Sequence, residues 1–135
     1  MLKESEKYMY GVFEIDSEHS ELISRAEKVM ESYQNGEAES EIIKLFEYLS
    51  AYVLIHFRNE EKLLSDYGYP EIEAHKILHR EFKQDVMILQ EDIKAHGLTL
   101  SSRLKLTHLT SEWIDQHIGT EDKKIADFIL NIRKG

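Results

Sequence analysis

The sequence contains no cysteine, which excludes a disulfide framework and any metal site built on thiolates. It also has only one proline and six glycines, so few positions interrupt a helix. Residues that favour helices dominate the remainder, and this composition predicts an all-α protein. With 135 residues, the chain is expected to form one domain over 1–135 that buries a hydrophobic core without cross-links.

Two further absences limit the function. No cluster of Lys and Arg forms a basic stripe and the net charge is −9, so nucleic-acid binding is disfavoured. No segment approaches the ~20 apolar residues that a membrane helix needs. Residues 1–15 lack the apolar stretch of a signal peptide. We therefore expect a cytoplasmic protein with no membrane partner, while its oligomeric state cannot be predicted.

Helix signals divide the chain into an N-terminal arm and four long helices. The predicted segments are an arm over 1–15, helices over about 17–34, 38–66, 70–96 and 100–118, and a short helix over 122–132. Asp16 is expected to cap the first helix, and Asn35-Gly36 to end it. Gly119 is expected to end the fourth helix. Because the connections are short, the pattern predicts an up-down-up-down four-helix bundle.

The segment from Ile55 to Arg80 carries two helical ligand pairs, His56 with Glu60 and His75 with His79. Residues four apart lie on the same face of a helix, so each pair offers two ligands to one point. A single pair of this kind is usually a solvated surface pair. Here, however, the pairs continue the apolar stripes of their helices, where an unpartnered carboxylate would be costly. The spacing therefore favours a buried metal site.

Helix lengths indicate that ligand candidates from all four helices lie at one level of the bundle. With a rise of about 1.5 Å per residue, the candidates on successive helices lie at matching distances from the turns between them. The candidates are His19, His56, Glu60, His75, His79 and His117, with Asp122 about one turn further along. His96 and His108 match no level and are expected at the surface.

Five imidazoles and two carboxylates exceed the needs of one octahedral ion, and they suit iron better than structural zinc. Two octahedral ions that share Glu60, Asp122 and a solvent-derived oxygen would keep one open position. Dioxygen, nitric oxide, azide or peroxide could bind there. The residues leave three functions open: an oxygen-binding protein, a di-iron enzyme that consumes peroxide or nitric oxide, and a bundle with structural or stored metal.

Four segments that carry these residues resemble the hemerythrin family, in particular its single-domain bacterial members. The segments are GVFEIDSEH, HFRNEE, YPEIEAHKILH and WIDQHIGTED, and together they span Gly11 to Asp122. The resemblance implies a non-haem di-iron centre, bridged by an oxo or hydroxo group, that binds dioxygen reversibly and is not an enzyme. By motif, His75, His79 and His117 would bind one iron, His19 and His56 the other, and Glu60 and Asp122 would bridge. Dioxygen would bind end-on as hydroperoxide at the open iron.

The same resemblance assigns an oxygen pocket with hydrophobic walls. Its matching residues are Leu22, Phe57, Trp113, Ile114 and Ile118. An apolar wall supplies no proton donor to split the O–O bond and excludes the water that promotes autoxidation. It therefore favours reversible binding over oxidase chemistry. Tyr52, one turn before His56, would oppose this interpretation if its hydroxyl group pointed into the pocket.

Overall fold

The computed structural model describes residues 9–134, which form an all-α bundle. No strand occurs within that range, so the predicted fold class is confirmed. Three long helices come first, and the fourth consists of three α-helical parts joined by two π-helical segments. The helices are α1 (Phe13–Gln34), α2 (Glu39–Tyr67), α3 (Ile72–His96), α4 (Leu100–Thr107), α5 (Trp113–Gln116) and α6 (Lys123–Lys134). The π-helical segments are π1 (His108–Glu112) and π2 (His117–Asp122).

Short connections make successive helices antiparallel neighbours. α1 packs on α2, α2 on α3 and α3 on α4, while π1 returns to contact α1. These contacts close the bundle around a shared interior. None of the helices in the described part of the chain combines the length and the apolar character needed to cross a membrane.

Local signals end the first three helices close to their predicted positions. α1 ends before Asn35, and Gly36 follows with φ of +66°. α2 ends at Gly68, whose φ of +67° and ψ of 41° are left-handed. Thr99 and Ser102 begin the fourth helix with a reciprocal capping box, in which each side chain accepts a hydrogen bond from the other residue's backbone N–H.

The prediction for Asp16 is wrong, because α1 begins at Phe13, three residues before Asp16. Asp16 lies inside the helix, and its carboxylate accepts hydrogen bonds from the backbone N–H groups of Tyr10 (2.9 Å) and Gly11 (2.8 Å). The carboxylate thus holds the end of the arm against the first turn. The remainder of the predicted arm, residues 1–8 with Tyr8, lies outside the described residues.

The prediction that Gly119 ends the fourth helix is also wrong. The helix continues through π2 into α6, with no break at Asp122. Glycine costs a helix only about 1 kcal/mol relative to alanine. Burial of an apolar face outweighs this cost, because Ile125, Ala126 and Ile129 of α6 are buried within the bundle.

The interior contains two hydrophobic clusters, which we call the main core and the second core. The main core includes Leu22, Phe57 and Ile118, and the second core includes Ile15, Leu64 and Ile125. On each of α1, α2 and the fourth helix, a short stretch of sequence separates a residue of one core from a residue of the other. His19, Glu60 and Asp122 occupy these stretches, so a polar layer separates the two cores.

We expect Gly68→Ala to lower the free energy of unfolding by about 1 kcal/mol, because an L side chain is strained in the left-handed conformation at the end of α2. Gly68→Asn should cost less, since asparagine tolerates this conformation better. Chemical denaturation of both variants measures the difference. Equal stability of the wild type and the alanine variant would contradict the expectation.

Candidate metal centre

The seven ligand candidates are all buried, with no side chain more than 5% exposed. They come from all four helices of the bundle. α1 contributes His19, α2 contributes His56 and Glu60, α3 contributes His75 and His79, and the fourth helix contributes His117 and Asp122. His96 and His108 are exposed, as predicted.

The buried side chains form two groups. Within each group, the nitrogen and oxygen atoms that could bind a metal all lie within 4.8 Å of one another. The three-histidine group contains Glu60, His75, His79 and His117. The two-histidine group contains His19, His56, Glu60 and Asp122. Glu60 belongs to both groups, so the groups are adjacent and share a carboxylate.

The two oxygens of Glu60 face different groups. Oε1 lies 2.5 Å from Nε2 of His75 and 3.1 Å from Nε2 of His79. Oε2 lies 3.2 Å from Nε2 of His56 and 3.8 Å from Nε2 of His19. A carboxylate in this position can give one oxygen to each of two cations.

Asp122 has the same arrangement. Its Oδ1 lies 3.3 Å from Nε2 of His75 and 3.2 Å from Nε2 of His117, which belong to the three-histidine group. Its Oδ2 lies 2.8 Å from Nε2 of His19, in the two-histidine group. Both carboxylates therefore stand between the groups, and each offers one oxygen to either side.

The π-helical segment explains how His117 and Asp122 both reach the centre. In an α-helix, two residues five positions apart are rotated by about 140° from one another. In a π-helix, the hydrogen bonds join residues i and i+5 and the turn is wider. π2 begins at His117 and ends at Asp122. The five-residue spacing was the signal in the sequence for this segment, and the interpretation of Gly119 as a helix end overlooked it.

Several buried polar atoms in the layer form no hydrogen bond within residues 9–134. They include Nε2 of His19, His56, His79 and His117, Oε2 of Glu60 and both carboxylate oxygens of Asp122. Buried polar atoms that form no hydrogen bond are costly. Imidazole and carboxylate donors at these distances suit divalent transition metals such as iron. The residues present therefore fit a pair of cations.

Charges within the layer compensate one another when no metal is bound. Burial lowers the pKa of His56, but Glu60 and Glu18 outweigh this effect and raise the pKa to about 10. Burial likewise opposes protonation of His75, whereas Asp122 and Glu60 raise its pKa to about 9. Burial raises the pKa of Asp122, yet His117 and His19 hold that pKa well below its usual range. A metal ion must displace protons from these imidazoles, so its affinity should fall in acid.

Two further carboxylates orient the histidines from outside the layer, and sequence analysis missed both. Oε1 of Glu18 lies 2.8 Å from Nδ1 of His56, and Oε2 of Glu61 lies 2.8 Å from Nδ1 of His79. A hydrogen bond to Nδ1 fixes the tautomer of the ring and directs Nε2 toward the centre. Each carboxylate is adjacent in sequence to a ligand candidate, and this adjacency could have identified it.

The predicted pocket residues lie in the main core or pack against it. Phe57 stacks on His79 with ring centroids 3.7 Å apart, and Trp113 stacks on His117 at 4.4 Å. Leu22, Ile114 and Ile118 are buried in the main core. Their role as an oxygen pocket stays a prediction.

Tyr52 is partly buried, and its ring lies 4.5 Å from the guanidinium group of Arg25. Burial raises the pKa of Tyr52, and the carboxylates of Glu18 and Glu21 raise it further. In the described part of the chain, no hydrogen bond joins its hydroxyl to the seven buried side chains. These contacts therefore do not place the hydroxyl of Tyr52 in the predicted oxygen pocket, where it would oppose reversible binding.

A helical bundle whose four helices converge on buried histidines and carboxylates defines a cation-binding class of protein. The family model described as the hemerythrin HHE cation binding domain matches residues 10–129. The chain therefore belongs to the hemerythrin family. This membership confirms the resemblance seen in the sequence and agrees with the prediction of a binding protein rather than an enzyme.

Several relatives are similar over most of this chain. The bacteriohemerythrin of Pseudomonas paraeruginosa is 30% identical over 119 residues, which cover 88% of this chain and 75% of that protein. The bacteriohemerythrin of Methylococcus capsulatus is 29% identical over 80% of each chain. That of Clostridium acetobutylicum is 26% identical over 90% of this chain and 96% of its own length. No solved structure matches the chain significantly.

We expect Glu18→Ala and Glu61→Ala each to weaken metal binding by about 10- to 100-fold, because each removes the hydrogen bond that orients a histidine. Glu91→Ala is the matched control, since Glu91 is an exposed residue of α3 beyond the polar layer. Competition with a chelator of known affinity measures the change. Unaltered affinity in both test variants would show that the two hydrogen bonds do not tune the site.

Proposed function

We propose that this protein binds dioxygen reversibly at a non-haem di-iron centre. The ligands are His19, His56, Glu60, His75, His79, His117 and Asp122. The observation that carries the proposal is the position of Glu60 and Asp122, each of which offers one oxygen to either group of histidines. Family membership supports the cation-binding part of this proposal.

The two metal positions are unequal. Each would share Glu60 and Asp122, but one position has three histidines and the other has only His19 and His56. The two-histidine position therefore receives one protein donor fewer. We assign the open coordination position for a small ligand to that side, and other small diatomic or anionic ligands such as nitric oxide and azide would compete there.

The apolar residues beside the histidines favour reversible binding. A ferrous pair supplies the two electrons that dioxygen binding requires. Phe57 and Trp113 stack on His79 and His117, and neither aromatic side chain carries an acidic group. These rings limit the access of water to their side of the layer and supply no proton donor for cleavage of the O–O bond. The side chains thus support binding and release of oxygen over its reduction.

The test loads the metal-free protein with ferrous iron without oxygen, admits air, records the visible spectrum and removes the oxygen again. A charge-transfer band that appears and disappears over repeated cycles is the expected result. Irreversible oxidation with consumption of peroxide would instead show an enzyme. Metal binding that stabilises the fold without any band would show a structural or storage site. His108→Ala, which changes an exposed histidine outside the layer, should behave as the wild type does.

Replacing either bridging carboxylate should lower the iron content below two ions per chain, because both positions lose a donor. We expect this for Glu60→Ala and Asp122→Ala, measured by metal analysis after desalting. Asp127→Ala is the control, since Asp127 is an exposed carboxylate on α6 that pairs with Lys123. Circular dichroism confirms that each variant remains helical. Two ions retained in a folded Glu60→Ala variant would refute the bridging role of Glu60.

A further inference from the structure

A surface cleft between α1 and α2 leads to the two-histidine group. It has a volume of about 360 Å³ and is lined by Glu14 and Glu18 of α1 and by His56, Glu60 and Asp66 of α2, among others. His56 and Glu60 are almost fully buried, so they form its inner end. The cleft therefore connects the solvent with two of the proposed ligands.

Carboxylates line this cleft at increasing depth. The exposed fraction of the side chain is 58% for Asp66, 47% for Glu14, 20% for Glu18 and 1% for Glu60. Asp66 pairs with Lys62, Glu14 pairs with Arg133, and Glu18 holds the His56 ring. A divalent cation that moves inward competes with Lys62 and Arg133 at the mouth and meets a carboxylate oxygen at each stage, and the low dielectric of the walls strengthens the attraction further inside.

Acidic side chains on a protein surface are common and do not by themselves mark a cation path. Here, the inner end of the cleft carries independent evidence. Nε2 of His56 and Oε2 of Glu60 are buried, lie 3.2 Å from each other and form no hydrogen bond in the described structure. Once the imidazole has lost its proton, both atoms are electron-pair donors for a metal ion. The path of carboxylates thus ends at atoms that a metal ion would satisfy.

A second cleft approaches the centre from the other side, but it suits a cation less well. Its volume is about 340 Å³, and among its lining residues are Trp113, Gln116, His117 and Glu121. Among the described residues that line it, Glu121 is the only carboxylate, and it pairs with Lys124 as the outer carboxylates of the first cleft pair with Lys62 and Arg133. The ring of Trp113 also stacks on His117. A cation in this cleft would therefore meet one carboxylate, and the ring of Trp113 would obstruct its approach to His117.

We propose that the cleft between α1 and α2 is the entrance through which a divalent cation reaches the two-histidine position. This inference rests on the proposed metal site and adds the route by which the site is loaded. A cation in the cleft binds Glu18 before it reaches His56, because Glu18 is partly exposed and its carboxylate already contacts the His56 ring. The charge at the mouth of the cleft should then control the rate of metal uptake without changing the final metal content.

Ser17 allows this charge to be altered without touching a ligand, since it lines the cleft and is exposed. We expect Ser17→Lys to slow the uptake of Co²⁺ by the metal-free protein by about three- to tenfold at low ionic strength, and Ser17→Glu to accelerate it. Both rates should approach the wild-type rate at high salt, because salt screens exposed charges. Stopped-flow measurement of the cobalt absorption provides the rate.

The matched control is Ser20→Lys, which places the same charge on an exposed position of α1 outside the cleft. Uptake by this variant should match that of the wild type, and all variants should reach the same metal content. Equal rates for Ser17→Lys, Ser17→Glu and the wild type would overturn the proposed entrance. Slower uptake in Gln116→Lys but not in Ser17→Lys would assign entry to the second cleft and also overturn it. Failure of the wild type to bind metal would refute the proposed function, and the entrance with it.

Discussion

The burial of Glu60 and Asp122 is the constraint on which the rest of this structure depends. A carboxylate in the interior of a bundle is costly unless positive charge or hydrogen bonds compensate it. Both residues lie in a layer of imidazoles, and each divides its two oxygens between two groups of histidines. This arrangement requires all four helices to present these histidines and carboxylates at one level, and it separates the main core from the second core.

The fourth helix shows how this constraint shapes the backbone. His117 and Asp122 must reach the same centre although they are five residues apart, and the π-helical turn brings both inward. The helix then continues into α6, which completes the second core with Ile125 and Ile129. Geometry of the site and burial of apolar surface thus act together, and both favour a continuous helix over a break at Gly119.

The asymmetry of the layer connects its structure with the proposed chemistry. Three histidines lie on one side and two on the other, and outer carboxylates hold one histidine in each group. Glu18 has two roles in this account, since it orients His56 and lines the cleft between α1 and α2. The cleft that is lined by exposed carboxylates therefore reaches the group with fewer histidines.

The sequence by itself determined the all-α class, the ends of the first three helices and the seven buried ligand candidates. These features follow from local rules: glycine and capping residues end helices, and residues four apart share a face. Only the tertiary structure decided the roles of Asp16 and Glu18 and the course of the chain at Gly119. Each of these depends on a partner outside its own helical turn: the arm's N–H groups for Asp16, His56 for Glu18, and the second core for the helix beyond Gly119. Helical spacing does not reveal these partners. The partner of Glu18 and the second core are brought together only when the helices pack, and the partners of Asp16 depend on the course of the arm before α1.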